Sequence, residues 1–196
     1  MQVRLVRLVI VTSGLLAVAL SFGIATQKEP SKDIEMSTRL IGTEAQDWNV
    51  GSWMNSKPVQ LRDLLGKVVL VRWWTEGCPF CSATAPALNG FYDEFHSRGL
   101  EVIAFYHHKS DQPLDVARVH QYANKLGFKF PVAIDYDWQT LRRWWLDNSD
   151  TSWTSVSFLI DRKGTIRHIH PGGQYVAGDS DYQVLRGKIA LLLAER

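Results

Sequence analysis

Both cysteines of this chain, Cys78 and Cys81, lie in a single C-x-x-C motif. The run before the motif, "VVLVRWW" (68–74), is rich in β-branched and aromatic residues, which is typical of a strand that is buried on both faces. The segment after it, "SATAPALNGFYDEFHSR" (82–98), places apolar side chains at helical spacing. The sequence therefore predicts a buried strand, a dithiol and a helix in direct succession.

The position of the motif favours a reactive thiol. Cys78 falls at the N-terminus of the predicted helix, where unpaired N–H groups and the helix macrodipole stabilise an anion. The thiolate, which is the reactive form of cysteine, is thereby favoured. Pro79 in the first helical turn costs no hydrogen bond and presets the backbone angle φ. We predict that Cys78 attacks a disulfide and that Cys81 resolves the resulting mixed disulfide.

The rest of the chain alternates between strand and helix patterns. The region 48–67 is typical of a short strand, a turn and a second short strand. The order of the segments predicts an α/β sandwich, with a mixed central β-sheet and helices on both faces. Further strands are expected at 100–108 and 130–135, a hairpin at 155–173, and helices at 111–127, 137–148 and 179–196.

The N-terminus carries a compartment signal. Arg4 and Arg7 precede an uncharged apolar run that is near the lower limit of length for crossing a bilayer. We predict that residues 1–25 are either a cleaved signal peptide or an uncleaved membrane anchor. Either places the rest of the chain in the periplasm or on an extracytoplasmic face, where disulfides persist. Residues 26–45 are polar and aperiodic, so we expect a linker there and one domain over 46–196.

Composition excludes one class of partner and suggests another. The formal net charge of +2 comes from Arg4 and Arg7, so the remaining chain has equal numbers of basic and acidic residues. This balance gives no reason to expect nucleic-acid binding. The chain also has eight tryptophans. We expect most of them to fill the core, and any that is exposed beside the cysteines to contact a substrate.

Other uses of a cysteine pair are less well supported. A structural zinc site needs four ligands, and the chain has no third cysteine. A structural disulfide that closes so small a loop stabilises little. Binding of Cu(I) by the two thiolates, in a metal-carrying or chaperone module, is the alternative that stays open. Otherwise no metal or cofactor is predicted.

Two pairs of histidines are weaker candidates. His107 and His108 end a predicted strand, at the sheet edge where α/β proteins place functional loops. Either could shuttle a proton or bind a metal, although packed or surface histidines are commoner. His168 and His170 alternate on the last predicted strand and therefore share one face.

The segment "VVLVRWWTEGCPFCSATAPAL" resembles the active-site segment of the thioredoxin superfamily, and more narrowly of its TlpA-like (ResA-like) extracytoplasmic branch. The resemblance covers residues 46–196 and includes Trp74, Pro86 and "SFLIDRKGTI". It implies a thioredoxin-like fold with a central four-stranded sheet and an N-terminal extension. It also implies a thiol–disulfide oxidoreductase with a redox-active Cys78–Cys81 disulfide, in which reduction is favoured over oxidation.

The resemblance also implies the partners. They are protein thiols and disulfides, an upstream thiol–disulfide donor, and the membrane through the N-terminal segment. We expect the soluble domain itself to be monomeric. A peroxidase of the related peroxiredoxin type is disfavoured, because those proteins need a Thr/Cys/Arg pocket and "TEGCPFC" offers no arginine nearby.

The chain departs from the family pattern around the dithiol. Gly77 replaces the usual aromatic residue before the first cysteine, and Phe80 lies within the motif. Glu76 is either a proton acceptor that influences the thiolate or a solvated surface carboxylate. Ser155, preceded by Thr154, stands where relatives carry a cis-proline that faces the dithiol and helps to hold substrate. We include these residues in the predicted site and leave the mode of substrate binding open.

Overall fold

The computed structural model describes residues 32–148 and 153–195. The helices are α1 (Lys32–Leu40), α2 (Pro79–Phe95), α3 (Val116–Lys125), α4 (Gln139–Trp144) and α5 (Ser180–Ala194). The strands are β1 (Gly51–Met54), β2 (Val68–Trp74), β3 (Leu100–Tyr106), β4 (Val132–Ile134), β5 (Ser157–Ile160) and β6 (Ile166–His170). Single 3₁₀ turns lie at Leu61–Leu64, His96–Arg98, Tyr136–Trp138 and Leu146–Asn148.

The strands of the described region form one mixed sheet in the order β1-β4-β3-β2-β5-β6. The β2–β3 and β3–β4 pairs are parallel, and the β1–β4, β2–β5 and β5–β6 pairs are antiparallel. The mixed sheet agrees with the prediction, but the four strands implied by the resemblance are too few. β1 and β6 extend the sheet beyond β4-β3-β2-β5 and pair the backbone groups that those strands would leave open.

Helices cover both faces of the sheet. As a result, β2 and β3 are buried along their whole length. On one face, Leu70 and Trp74 of β2 pack with residues of α2, α3 and α5. On the other face, Val71 and Trp73 pack with residues of α1 and α4. Successive side chains of a strand point to opposite faces, so burial of both faces gives the continuous apolar run seen in the sequence.

The segment expected to be an aperiodic linker contains a helix, so that expectation is wrong for α1. Met36 is buried in the core, and Leu40, one helical turn later, packs against the same cluster. The chain after the helix is fixed to β6, because the amide of Gly42 donates to the carbonyl of Ile166 at 2.8 Å. Two apolar residues at a spacing of four thus dock a short helix in which polar residues predominate. The domain boundaries at 25 and 45 stay predictions.

The second short strand expected within 48–67 is also wrong. A 3₁₀ turn, Leu61–Leu64, takes its place, and the side chains of Leu61 and Leu64 are both buried. Residues three apart lie on the same side of a 3₁₀ turn, so this geometry buries both leucines together.

The predicted signal peptide or anchor, residues 1–25, lies outside the described residues. Within 32–148 and 153–195, the helices are too short or too polar to cross a membrane.

Substitution of Met36 tests whether α1 belongs to the folded domain. We expect Met36→Ala to lower the free energy of unfolding by about 2 kcal/mol or more, because it leaves a cavity between α1 and the sheet. Arg39→Ala on the exposed face of the same helix should change it by about 0.5 kcal/mol or less. Urea unfolding of both variants provides the measurement. Equal stability of the two would mean that α1 is not docked.

Candidate active site

The dithiol lies where the central strand meets its helix. β2 ends at Trp74, and Cys78 is the N-cap of α2, with Pro79 in the first helical turn. Gly77 lies between them and has a φ of +70°. This left-handed conformation is strained for any residue that carries a side chain. A Cβ on Gly77 would meet no atom within 4 Å, so the backbone angle and not the available space favours glycine here. Glycine adopts this conformation more readily than an aromatic residue does.

The two sulfurs differ in their exposure. Cys78 is half-buried, whereas Cys81 is buried. The backbone N–H of Cys81 donates to Sγ of Cys78 at 3.2 Å. A hydrogen bond from an unpaired helix N–H stabilises negative charge on that sulfur. This geometry is consistent with the predicted roles, in which Cys78 attacks and the shielded Cys81 resolves.

A cleft of about 400 Å³ opens beside Cys78. The strand order explains which segments form it, since β3 and β5 flank β2 on opposite sides and each contributes the loop at its end of the sheet. Of the predicted site residues, all but Trp74 and Cys81 line the cleft. The lining residues are Thr75, Glu76, Gly77, Cys78, Pro79, Phe80, Lys109, Trp153, Thr154 and Ser155.

Trp74 belongs to the core and does not reach the cleft. Its ring packs edge-on against Tyr106, with ring centroids 5.1 Å apart, and against Phe128 at 5.4 Å. It therefore supports the end of β2 from below and does not contact a substrate. Lys109 and Trp153 were not predicted individually, and their only signals were a strand end and a high tryptophan content.

Glu76 is held by an ion pair with helix α3. Its carboxylate accepts a hydrogen bond from Nε of Arg118 at 2.9 Å, and its side chain is only 11% exposed. The interpretation as a solvated surface carboxylate is therefore wrong, because α3 packs close enough to cover it. The carboxylate raises the pKa of Arg118. The guanidinium in turn partly neutralises the negative charge of Glu76 near Cys78.

Ser155 connects the loop before β5 to the turn after β6 through a hydrogen bond. It is buried, and its Oγ accepts a hydrogen bond from the amide of Gly173 at 3.2 Å and lies 3.4 Å from the carbonyl oxygen of the same residue. Peptide bonds throughout the described residues are trans. At this position the chain thus uses a hydroxyl to hold the cleft wall against the turn that follows β6.

A buried arginine also binds the turn that contains Gly173. Arg72, six residues before Cys78 on β2, donates to the carbonyl of Gly173 at 2.6 Å and to Oγ of Ser157 at 3.2 Å. Its guanidinium lies 5.2 Å from the ring centroid of Tyr175. Burial lowers the pKa of Arg72. Sequence reasoning missed this residue, although a single charge inside an apolar strand was the available signal.

The histidine candidates do not line the cleft. His107 is buried, burial lowers its pKa to about 3, and neither ring nitrogen has a hydrogen-bond partner within the described residues. His108 contacts the Tyr106 hydroxyl at 2.9 Å. Burial also lowers the pKa of His168, to about 4, and that of His170. The described ranges hold no group of three or more His, Cys, Asp or Glu residues that could bind a metal.

Comparisons with known proteins agree with the fold. The model of the AhpC/TSA family matches residues 41–169, which is most of the chain. The chain belongs to the AhpC/TSA family. The family covers the described domain from the end of α1 to the last strand, so it includes every residue of the cleft.

Two curated relatives of the family are equally similar in identity. The thiol-disulfide oxidoreductase ResA of Bacillus thuringiensis is 30% identical over 159 residues, which are 81% of each protein. The protein DipZ of Mycobacterium bovis is 30% identical over 155 residues, which are 78% of this chain but only 21% of DipZ. The chain thus spans about a fifth of DipZ and most of ResA. The resemblance to the ResA-like branch is confirmed.

A solved structure supports the fold. The thiol-disulfide isomerase of Corynebacterium glutamicum has a TM-score of 0.62 and 25% identity to this chain, and the match covers 79% of this chain and 98% of that protein. The prediction of a thioredoxin-like α/β fold is confirmed. The names of these relatives support the predicted class of enzyme, an oxidoreductase.

Variants of the ion pair test its influence on Cys78. We expect Glu76→Gln to raise the rate at which Cys78 is alkylated near neutral pH by about twofold to fivefold, because removal of the carboxylate favours the thiolate. Arg118→Ala should lower that rate by a similar factor, since it leaves Glu76 unneutralised. Iodoacetamide labelling of the reduced protein measures both. Asp93→Asn, an exposed carboxylate elsewhere on α2, is the control and should leave the rate unchanged.

The backbone angle of Gly77 leads to a second prediction. Gly77→Ala should lower the free energy of unfolding by about 1 kcal/mol, because alanine is strained at positive φ. Gly187→Ala in α5, where φ is not positive and no atom lies within 4 Å of the new Cβ, should raise it by about 0.5–1 kcal/mol. Thermal or urea unfolding distinguishes the two. A stabilising Gly77→Ala would contradict the described turn.

Proposed function

We propose that this chain is an extracytoplasmic thiol–disulfide oxidoreductase that acts through a mixed disulfide at Cys78. The observation that carries this proposal is the pair of unequal cysteines at the N-terminus of α2. Cys78 is accessible from the cleft and accepts the Cys81 N–H, while the sulfur of Cys81 is buried behind it. ResA, which bears the name thiol-disulfide oxidoreductase, aligns over most of its length with this domain.

The proposed reaction proceeds in two exchanges. The Cys78 thiolate attacks one sulfur of a substrate disulfide, forms a mixed disulfide, and releases the other substrate sulfur as a thiolate that takes a proton from solvent. The Cys81 thiolate then attacks Sγ of Cys78, releases the second substrate thiolate, and leaves a Cys78–Cys81 disulfide. Two electrons pass from the dithiol to the substrate. An upstream thiol donor restores the dithiol by the same two exchanges.

We propose that the chain works as a reductant on exported proteins. The resemblance to TlpA-like proteins supports this direction, and the N-terminal segment supports a site of action outside the cytoplasm. In this proposal the segment either tethers the domain to the membrane or is removed after export. The domain itself acts as a monomer on protein disulfides.

Trapping of the intermediate tests the proposal. In Cys81→Ser the second exchange is blocked, so we expect mixed disulfides with partner proteins to accumulate on Cys78. Cys78→Ser should trap none and is the matched control. Non-reducing electrophoresis and mass spectrometry of the trapped species provide the measurement.

One outcome would favour the alternative function. If the reduced wild-type protein binds Cu(I) at one ion per chain and reduces no protein disulfide, the proposal fails and the cysteines are metal ligands. If exchange does occur, the reduction potential gives the direction. A potential well below that of the glutathione couple means a reductant.

A further inference from the structure

Two exposed aromatic side chains meet at the rim of the Cys78 cleft. Phe80 is 38% exposed and Trp153 is 42% exposed. Their rings are in edge-to-face contact, with centroids 5.6 Å apart. The two residues come from different segments, the first turn of α2 and the loop before β5. Exposed apolar groups that cluster beside a reactive sulfur mark a contact surface and not the core.

The fold holds Trp153 in this position. The Trp153 carbonyl accepts a hydrogen bond from the indole of Trp145 at 3.1 Å. Its side chain packs against Gly172, where an added Cβ would lie only 2.6 Å from Cβ of Trp153. The next residue in that turn, Gly173, is the one bound by Ser155 and Arg72. Phe80 and Trp153 are called the aromatic rim from here on. The rim therefore contacts the same turn, at Gly172 and Gly173, that Ser155 and Arg72 hold by hydrogen bonds.

The opposite wall of the cleft carries positive charge. Lys109 follows β3, whereas Trp153 precedes β5, and these strands flank β2 on opposite sides. Nζ of Lys109 lies 5.9 Å from the ring centroid of Trp138. None of the ion pairs found within the described residues involves Lys109. The negative charge of Glu76 is already paired with Arg118. An acidic group would therefore be attracted to this wall.

We propose that the cleft selects an extended protein segment with a large apolar residue on one side of its cysteine and an acidic residue on the other. This inference rests on the proposed function, because it concerns the client cysteine that joins Cys78. The apolar side chain contacts Phe80 and Trp153, and the acidic side chain pairs with Lys109. Both contacts place the client sulfur over Cys78.

A set of peptides tests this selectivity on the Cys81→Ser protein. Each peptide contains one cysteine, activated as a disulfide with thionitrobenzoate, whose release is followed by absorbance. The flanking residues are Phe and Asp in either order, Phe and Lys, Ala and Asp, or Ala and Ala. Each rate constant is divided by that of dithiothreitol with the same peptide, which removes the intrinsic reactivity of the disulfide.

We expect one of the Phe and Asp peptides to react about tenfold faster than the Ala and Ala peptide at low salt. Phe80→Ser and Trp153→Ala should each lower the rate constant with Phe-containing peptides by about fivefold. Lys109→Glu should reverse the preference between Asp and Lys, and added salt should weaken that preference. Leu191→Ala and Lys125→Ala, exposed residues away from the cleft, are the controls and should change no ratio.

The outcomes separate this inference from the proposed function. Equal normalised rates for all peptides would overturn the selectivity and leave the thiol exchange intact. A preference that survives Phe80→Ser, Trp153→Ala and Lys109→Glu would also overturn it. If no peptide releases thionitrobenzoate, the proposed function itself fails. The comparison among peptides on the unchanged cleft does not depend on the folding of any cleft variant.

Discussion

Burial of strand β2 on both faces is the constraint on which the site depends. A polar group on such a strand has to find its partner inside the protein, because water does not reach it. Arg72 therefore reaches the carbonyl of Gly173, and on the opposite face the indole of Trp73 donates to the carboxylate of Asp135 at 3.0 Å. Asp135 also accepts hydrogen bonds from the backbone amides of Thr140 and Leu141, which lie in the first turn of α4. One strand thus fixes a loop on each face of the sheet.

The same strand delivers the dithiol to the surface. Because β2 is rigidly held, its end defines where Cys78 emerges and how α2 is oriented above it. The left-handed turn at Gly77 lets the chain pass from strand to helix within four residues. The Cys78 sulfur therefore accepts a hydrogen bond from a helix N–H and faces a cleft, whereas Cys81 is buried. An accessible thiol stabilised as the thiolate is the better nucleophile of such a pair.

The walls of the cleft are held by contacts between residues that are distant in the sequence. The Ser155 hydroxyl and the buried guanidinium of Arg72 both bind Gly173 in the turn after β6. An aromatic rim lies on the side of β5, and a cationic residue lies on the side of β3. The proposed thiol exchange depends on the dithiol, and the proposed choice of client depends on these walls.

The sequence by itself determined the elements whose causes are local. The strand, the dithiol and helix α2 follow from residue type and short spacings. The N-cap of Cys78 and the turn proline Pro79 act within one helical turn. The α/β class followed because the alternation of buried strands and helices is written along the chain. Local patterns gave a wrong prediction where few side chains are buried. In α1, two apolar residues dock the helix, although its sequence resembles that of a linker.

Only the tertiary structure decided how distant residues meet. Glu76 pairs with Arg118 across 42 positions, and Arg72 reaches Gly173 across 101. The neighbours of Cys78 in the cleft come from the loops after β3 and before β5, and the strand order brings them together. No spacing in the sequence encodes these contacts, because they arise from the packing of the sheet and not from the chain near each residue. The sequence alone therefore identified the candidate dithiol, and the fold determined which residues surround it.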